Sequence, residues 1–232
     1  MWTNENRPRY NRDELRYPSD LTDAEWAHIE PLIPPAKRGG GKRRVNIRAV
    51  VNGVMYILST GCQWRYLPKD LPPRSTVHDY LGPWNWDGTL DRIHHALYAK
   101  CREKAEREAS PTACIIDSQS VKTTEGGGPR GFDAGKKIKG RKRHIITDTQ
   151  GLLVGPVVHT ADIQDRDGAP DVLASIRNSF PWLRHVFADG GYAGKKLRGS
   201  LARLGQWTIE IIKRSDRAKG FEILPRRWVV ER

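Results

Sequence analysis

Ala113-Cys114-Ile115-Ile116-Asp117 is an apolar, β-branched run that ends in an acid, and Leu183-Arg184-His185-Val186-Phe187-Ala188-Asp189 repeats the pattern far downstream. Each reads as a buried strand delivering a carboxylate to the edge of a sheet. Two such deliveries point to carboxylates converging on a divalent metal. A third acid, Glu231, closes Arg227-Trp228-Val229-Val230-Glu231. Three acids of this kind in a strongly basic chain point to a metal enzyme acting on nucleic acid.

The basic character is marked. The 232 residues (26.4 kDa) carry 40 Lys+Arg against 27 Asp+Glu, a formal charge of +13 with a pI near 9.9. That field favours a polyanion, and nucleic acid is the commonest one; a generically basic soluble protein is the plainer alternative. Cys62, Cys101 and Cys114 show no Cys-x-x-Cys spacing, so neither a disulfide framework nor a zinc knuckle is expected. The first residues lack the apolar core of a signal peptide, and no apolar stretch approaches the roughly 18 residues of a membrane span. These features describe a cytoplasmic chain with no membrane partner.

Around the two acid-tipped strands the chain divides by composition. Residues 1–20 form a polar, basic arm. Thr22-Asp23-Ala24-Glu25 offers a capping box for a helix carrying Trp26, Ile29 and Ile33, which Pro34-Pro35 ends. A Gly/Lys/Arg linker over 36–44 follows. Residues 47–60 read as a helix apolar on most sides, with Gly61 at its C′ position. Further helices are expected from Ser75 and over 89–108. Residues 21–109 thus describe a helical region compatible with a helix-turn-helix DNA-binding unit, or with an ordinary three- or four-helix bundle.

Near Ser110-Pro111 the pattern changes to strands, expected at 112–117, 143–148, 152–159, 183–189 and 208–213, with helices at 169–177 and 194–204. Thr149-Gln150-Gly151 joins the second and third strands as a hairpin. Residues 110–232 therefore read as a mixed sheet flanked by helices, making the whole chain α+β, with an α/β second domain.

Cleaving or exchanging a phosphodiester needs an activated oxygen nucleophile and a stabilised leaving oxygen, which two divalent metals about 3.5–4 Å apart can supply. Mg²⁺ takes oxygen ligands, so carboxylates are its expected partners, with Mn²⁺ a substitute. Asp117 and Asp189 would be held rigidly by strands, and Glu231 would approach from a helix, with Arg227 four residues earlier to orient it or to contact a phosphate. Chemistry alone leaves the choice of acids open, because Asp148, Asp162, Asp165 and Asp167 lie in the same region. Turn or helix-start roles suffice for Asp148, Asp165 and Asp167. After Asp189, Gly190-Gly191 lets the backbone pass close to a ligand, and Tyr192 is placed to stack on a base or sugar. Between Asp117 and the hairpin, a Gly-rich loop leads into Lys136, Lys137, Lys139, Arg141, Lys142 and Arg143, a run without an acid that suits phosphate contact.

Taken together, these motifs resemble the bacterial DDE transposases of the insertion-sequence-five (IS-five) family. The resemblance rests on Ile-Ile-Asp-Ser-Gln-Ser-Val, Ala-Asp-Gly-Gly-Tyr-Ala-Gly and the terminal Arg-Trp-Val-Val-Glu-Arg. It extends through Thr-Gly-Cys-Gln-Trp-Arg-Tyr-Leu-Pro, Lys-Gly-Arg-Lys-Arg-His and His-Thr-Ala-Asp-Ile-Gln-Asp-Arg-Asp, covering nearly the whole chain from Leu21. It implies a ribonuclease-H-like catalytic fold with Asp117, Asp189 and Glu231 as the acid triad and two Mg²⁺ ions. It further implies binding to the inverted-repeat ends of a mobile element, cleavage there, and attack of the freed 3′ hydroxyl on target DNA. A homodimer in the synaptic complex and a place near the bacterial nucleoid follow from the same resemblance. The departure is the C-terminus: relatives continue in a helix past this Glu, whereas the chain stops at Arg232. A truncated or frameshifted product is therefore expected, with a frayed Glu231 and poor activity. The competing readings are a DNA-binding remnant without catalysis and a nuclease of the same fold.

Overall fold

The computed structural model describes residues 4, 7–36, 39, 42–124, 127–205, 207–212 and 229. Contacts divide the chain into two compact units, Met1–Leu97 and Tyr98–Arg232.

In the first unit, helix α1 (Asp23–Ile29) begins at the expected capping box: the Thr22 hydroxyl accepts from the Glu25 amide at 3.2 Å, and the Glu25 carboxylate accepts from the Thr22 amide at 2.8 Å. Helix α2 (Ile47–Thr60) is capped by Asn46 and stopped by Gly61 in the left-handed region, φ 63°. Val50, Val51 and Val54 of α2 pack with Ile29, Val77, Trp84 and Ile93 in the unit's core. Helices α3 (Arg74–Trp86) and α4 (Thr89–Lys104) complete it, α4 running on into the second unit. Only Asp87 and Gly88 separate α3 from α4, while residues 61–73 separate α2 from α3. The second connection is far longer than the roughly 3–4-residue turn of a helix-turn-helix.

The second unit begins earlier than the composition change at Ser110-Pro111. Tyr98 on α4 belongs to its apolar core, packing edge-on against Phe180 at 5.1 Å. Among the described residues six strands form one sheet: β1 (Ala113–Lys122), β2 (Gly131–Asp133), β3 (Ile138–Asp148), β4 (Leu153–Thr160), β5 (His185–Ala188) and β6 (Thr208–Ile211). Their order is β2-β3-β1-β5-β6, with β4 also on β3; β1, β3 and β4 pair antiparallel, and β1, β5 and β6 parallel. Helices α5 (Asp165–Ile176) and α6 (Lys195–Leu204) bury Val172, Leu173, Leu197 and Leu201 in the same core as Cys114, Ile116 and Ile146. This helices-then-mixed-sheet arrangement fits a ribonuclease-H-like domain.

The cationic run departs from the expected loop. β3 starts at Ile138 rather than Arg143, so all four are strand residues: Arg141, Lys142 and Arg143 pair with β1, and Lys139 pairs with Phe132 of β2. The ladder supplies the reason: once β1 continues past Asp117 to Lys122, each extra residue gains a partner on β3.

Candidate active site

A parallel ladder joins the two runs that end in acids. Ala113, Cys114 and Ile115 of β1 stand opposite His185, Val186 and Phe187 of β5. Continuing this register brings Asp117 level with Asp189, on strands about 4.8 Å apart. Both are half-buried. The Asp189 backbone is still extended (φ −83°, ψ −179°), and its Oδ1 accepts from the Gly191 amide at 2.8 Å, capping the 3-10 turn Gly190–Tyr192. The Asp117 Oδ1 accepts from the Ser118 amide at 2.8 Å.

Asp165, assigned a helix-start role from sequence, also comes to this place. A Cβ on Gly191 would lie 2.9 Å from Asp165 Oδ2 and 3.0 Å from Asp189 Oδ1, so the two carboxylates flank one point and only glycine leaves room between them. The other Asp165 oxygen accepts from Lys142 Nζ at 2.8 Å, and Lys142 also reaches Asp133 at 3.2 Å. Burial works against the Lys142 charge, but Asp165 and Asp133 hold the ammonium protonated, above its usual range. Burial likewise works to raise Asp133, yet the Ser120 hydroxyl at 2.6 Å, the Lys136 amide and Lys142 keep it below the usual carboxylate range.

Two expected DNA contacts are corrected here. Lys142 is 4% exposed, because alternation along β3 turns residues 140, 142, 144 and 146 inward. Tyr192 is 1% exposed, its hydroxyl 3.0 Å from His144 Nδ1, so its ring is not open to stack on a nucleotide. Burial first, then the charges of Asp165 and Asp117, push its ionisation far up, and it is a neutral phenol. Gly-Gly-Tyr carries no apolar neighbour after Asp189 to announce that the ring turns into the core. The period-2 alignment of Lys142 and His144 with Ile146 was the signal for their burial.

Lys139, Arg141 and Arg143 take the opposite face. Their β1 and β2 partners include Phe132, Val121 and Gln119, and Asp117 pairs with Ile145 on this same face. Lys139 and Arg143 are exposed, as are Phe132 (55%) and Val158 (59%). Arg143 donates to Gln119 Oε1 at 2.8 Å, and Arg141 holds the carbonyls of Gly127 and Pro129. Lys136 and Lys137 are exposed in the β2–β3 turn, and Lys136 Nζ donates to the Ser118 carbonyl at 2.9 Å, one residue from Asp117. Glu231 and Arg227 lie outside the described residues; Val229 is helical and lies against the Gly151 turn.

Asp117 and Asp189 are hard oxygen donors at one sheet end, which suits Mg²⁺ or Mn²⁺. Among the described residues no three acidic, His or Cys side chains converge as a metal-holding group. The two aspartates therefore form a partial donor set that needs a further ligand. No described helix is long and apolar enough to cross a membrane.

Residues 108–232 match the family model of the transposase DDE domain, and residues 21–94 match the IS4/5 family transposase model DUF4096. The "Insertion element IS402 uncharacterized 16.2 kDa protein" of Burkholderia cepacia is 34% identical over 113 residues, 46% of this chain and 76% of that protein. "Uncharacterized protein y4sN" of Sinorhizobium fredii (strain NBRC 101917 / NGR234) is 28% identical over 102 residues, 44% of this chain and 75% of its own length. No solved structure matches.

Proposed function

Because this chain belongs to the DDE transposases of the IS4/5 family, we propose that it cuts and joins DNA at a divalent-cation site built on Asp117 and Asp189. The observation that carries this reading is the parallel β1–β5 register, which, continued by two residues, sets Asp117 on β1 level with Asp189 just past the end of β5. Glu231 is the proposed third acid and Arg227 its partner, on the strength of the terminal motif alone. DDE domains use divalent metal ions; the ions proposed here are two Mg²⁺, with Mn²⁺ as a substitute. When bound, such ions supply charge to activate the attacking oxygen and to stabilise the leaving one.

The chain's own residues then have separate tasks. Asp117 and Asp189 would hold the cations, whose charge would bind and polarise the reacting phosphate. Side chains on one face of a strand repeat every ~6.8 Å, so Lys139, Arg141 and Arg143 form a cationic row on the face that carries Asp117. Phe132 and Val158 supply apolar contact beside it. Lys136 and Lys137 extend the row across the turn. The helical unit is the proposed reader of the element's inverted-repeat ends, and a homodimer the proposed species that pairs two ends. The 3′ hydroxyl freed by the first cut attacks a target phosphodiester, whose 3′ oxygen leaves as the new bond forms.

The test is an assay of the 232-residue chain with Mg²⁺ and DNA carrying the element's ends. Asp117→Asn and Asp189→Asn should each abolish cut and joined products while leaving DNA affinity nearly unchanged. Wild-type cleavage by either variant defeats the assignment. Binding without any product from the parent chain supports a DNA-binding protein lacking catalysis, and cutting without joining supports a nuclease.

A further inference from the structure

Asp189 stands one residue beyond β5, where the β ladder no longer holds its direction. We propose that the hydrogen bond between Tyr192 and His144 is the clasp that aims Asp189, making Tyr192 a positioning residue for the cation site; the inference rests on the assignment of Asp117 and Asp189 above.

Tyr192 is the last residue of the short turn that Asp189 caps, and its amide donates to the Asp189 carbonyl at 3.2 Å. Its ring lies in the apolar core with Leu197, Leu201 and Ile116, so the turn is anchored from below. The hydroxyl meets His144 Nδ1 at 3.0 Å, the rings standing at 78° with centroids 6.0 Å apart. His144 is fully buried on β3, and its partner across the ladder is Ser118, the neighbour of Asp117. Strand β1 lies between β3 and β5. The clasp therefore crosses β1 and ties the turn bearing Asp189 to the strand pair bearing Asp117. The two carboxylates come from separate strands, and this bond couples their positions.

His144 is itself held in place. His159 packs against it at 4.8 Å, and both Nε2 atoms approach Gly168 so closely that a Cβ there would lie 2.5 Å from each. A purely apolar plug would be served by Phe. A buried hydroxyl is costly unless bonded, and here it meets a histidine whose ladder partner, Ser118, also hydrogen-bonds to Tyr192.

The experiment uses the full chain with Mn²⁺ as probe, measuring affinity by titration calorimetry and metal-free melting by circular dichroism. Tyr192→Phe keeps the anchoring ring and should melt within a few degrees of the parent, yet bind Mn²⁺ about tenfold more weakly, the scale seen when a ligand's outer partner is removed. In an Asp189→Asn background the same change should cost nothing further. If Asp189→Asn weakens Mn²⁺ binding and Tyr192→Phe does not, the clasp is wrong and the site stands. Additive losses in the double variant also overturn the clasp, because the hydroxyl then acts independently of Asp189. If Asp189→Asn binds Mn²⁺ like the parent, the site assignment fails and the clasp falls with it. His144→Asn, whose amide falls near the Nδ1 position, should retain more Mn²⁺ affinity than His144→Leu; equal affinity contradicts the proposal without relying on Tyr192→Phe.

Discussion

Asp148 is fully buried and bonded on every side: Arg102 pairs with one oxygen, the Tyr98 hydroxyl donates to it at 3.0 Å, and the Gln150 and Leu152 amides donate to the other at 2.8 and 3.0 Å. Removing one partner strands a buried charge, so Arg102→Met should lower stability by about 3–5 kcal/mol; urea denaturation measures it, and a loss below 1 kcal/mol would contradict the account. Glu25 makes a pH prediction. The forked hydrogen bond from Arg12, with help from the Thr22 amide and against some desolvation, lowers its carboxyl from 4.5 to about 2. A carboxylate depressed on folding stabilises above its unfolded value and loses that contribution as pH falls through the folded one. The melting gap between the parent and Glu25→Gln should therefore be full above about pH 4.5 and close towards pH 2; a gap that widens on acidification would contradict it. At this scale the position of Asp117 and Asp189 at the ends of two apolar runs was legible, but not their role, since an acid after a strand can equally cap a turn, as Asp189 does. Asp165 was not, because its approach to Asp189 depends on how α5 packs, and nothing local encodes that.

Helix α1 and strand β3 differ in how much of them could be read. The capping box of α1 is a four-residue signal with its own hydrogen bonds, and α2 ends at Gly61 as expected. Thr22→Ala should destabilise the helical unit by about 1 kcal/mol, seen as a lower melting temperature. In β3 the charge-rich half hid a strand, because its partner is β1 and lies far away in sequence. Alternation along that strand separates cations with different tasks. Replacing Lys139 and Arg143 with Ala should lower the slope of log affinity against log salt by roughly two phosphate contacts, with stability little changed. Lys142→Ala should instead leave the slope intact and destabilise the sheet unit, since it abandons Asp133 and Asp165. Equal slopes for the parent and the Lys139/Arg143 variant would move the DNA path elsewhere.

Across the whole molecule, the division into a helical and a sheet unit was visible as a change of pattern, but its position was not. Composition changes at Ser110-Pro111, whereas packing divides the chain within α4, because Tyr98 and Arg102 already serve the sheet unit. The excess of positive charge, +13, suits the DNA substrates that the transposase family implies. All of this converges on one claim, that Asp117 and Asp189 share a divalent cation. Anomalous diffraction from crystals of the 232-residue chain grown with Mn²⁺ tests it most directly. The account predicts a manganese peak within about 2–2.5 Å of a carboxylate oxygen from each residue. A peak elsewhere, or carboxylates more than about 8 Å apart, twice the usual two-metal spacing, would contradict it.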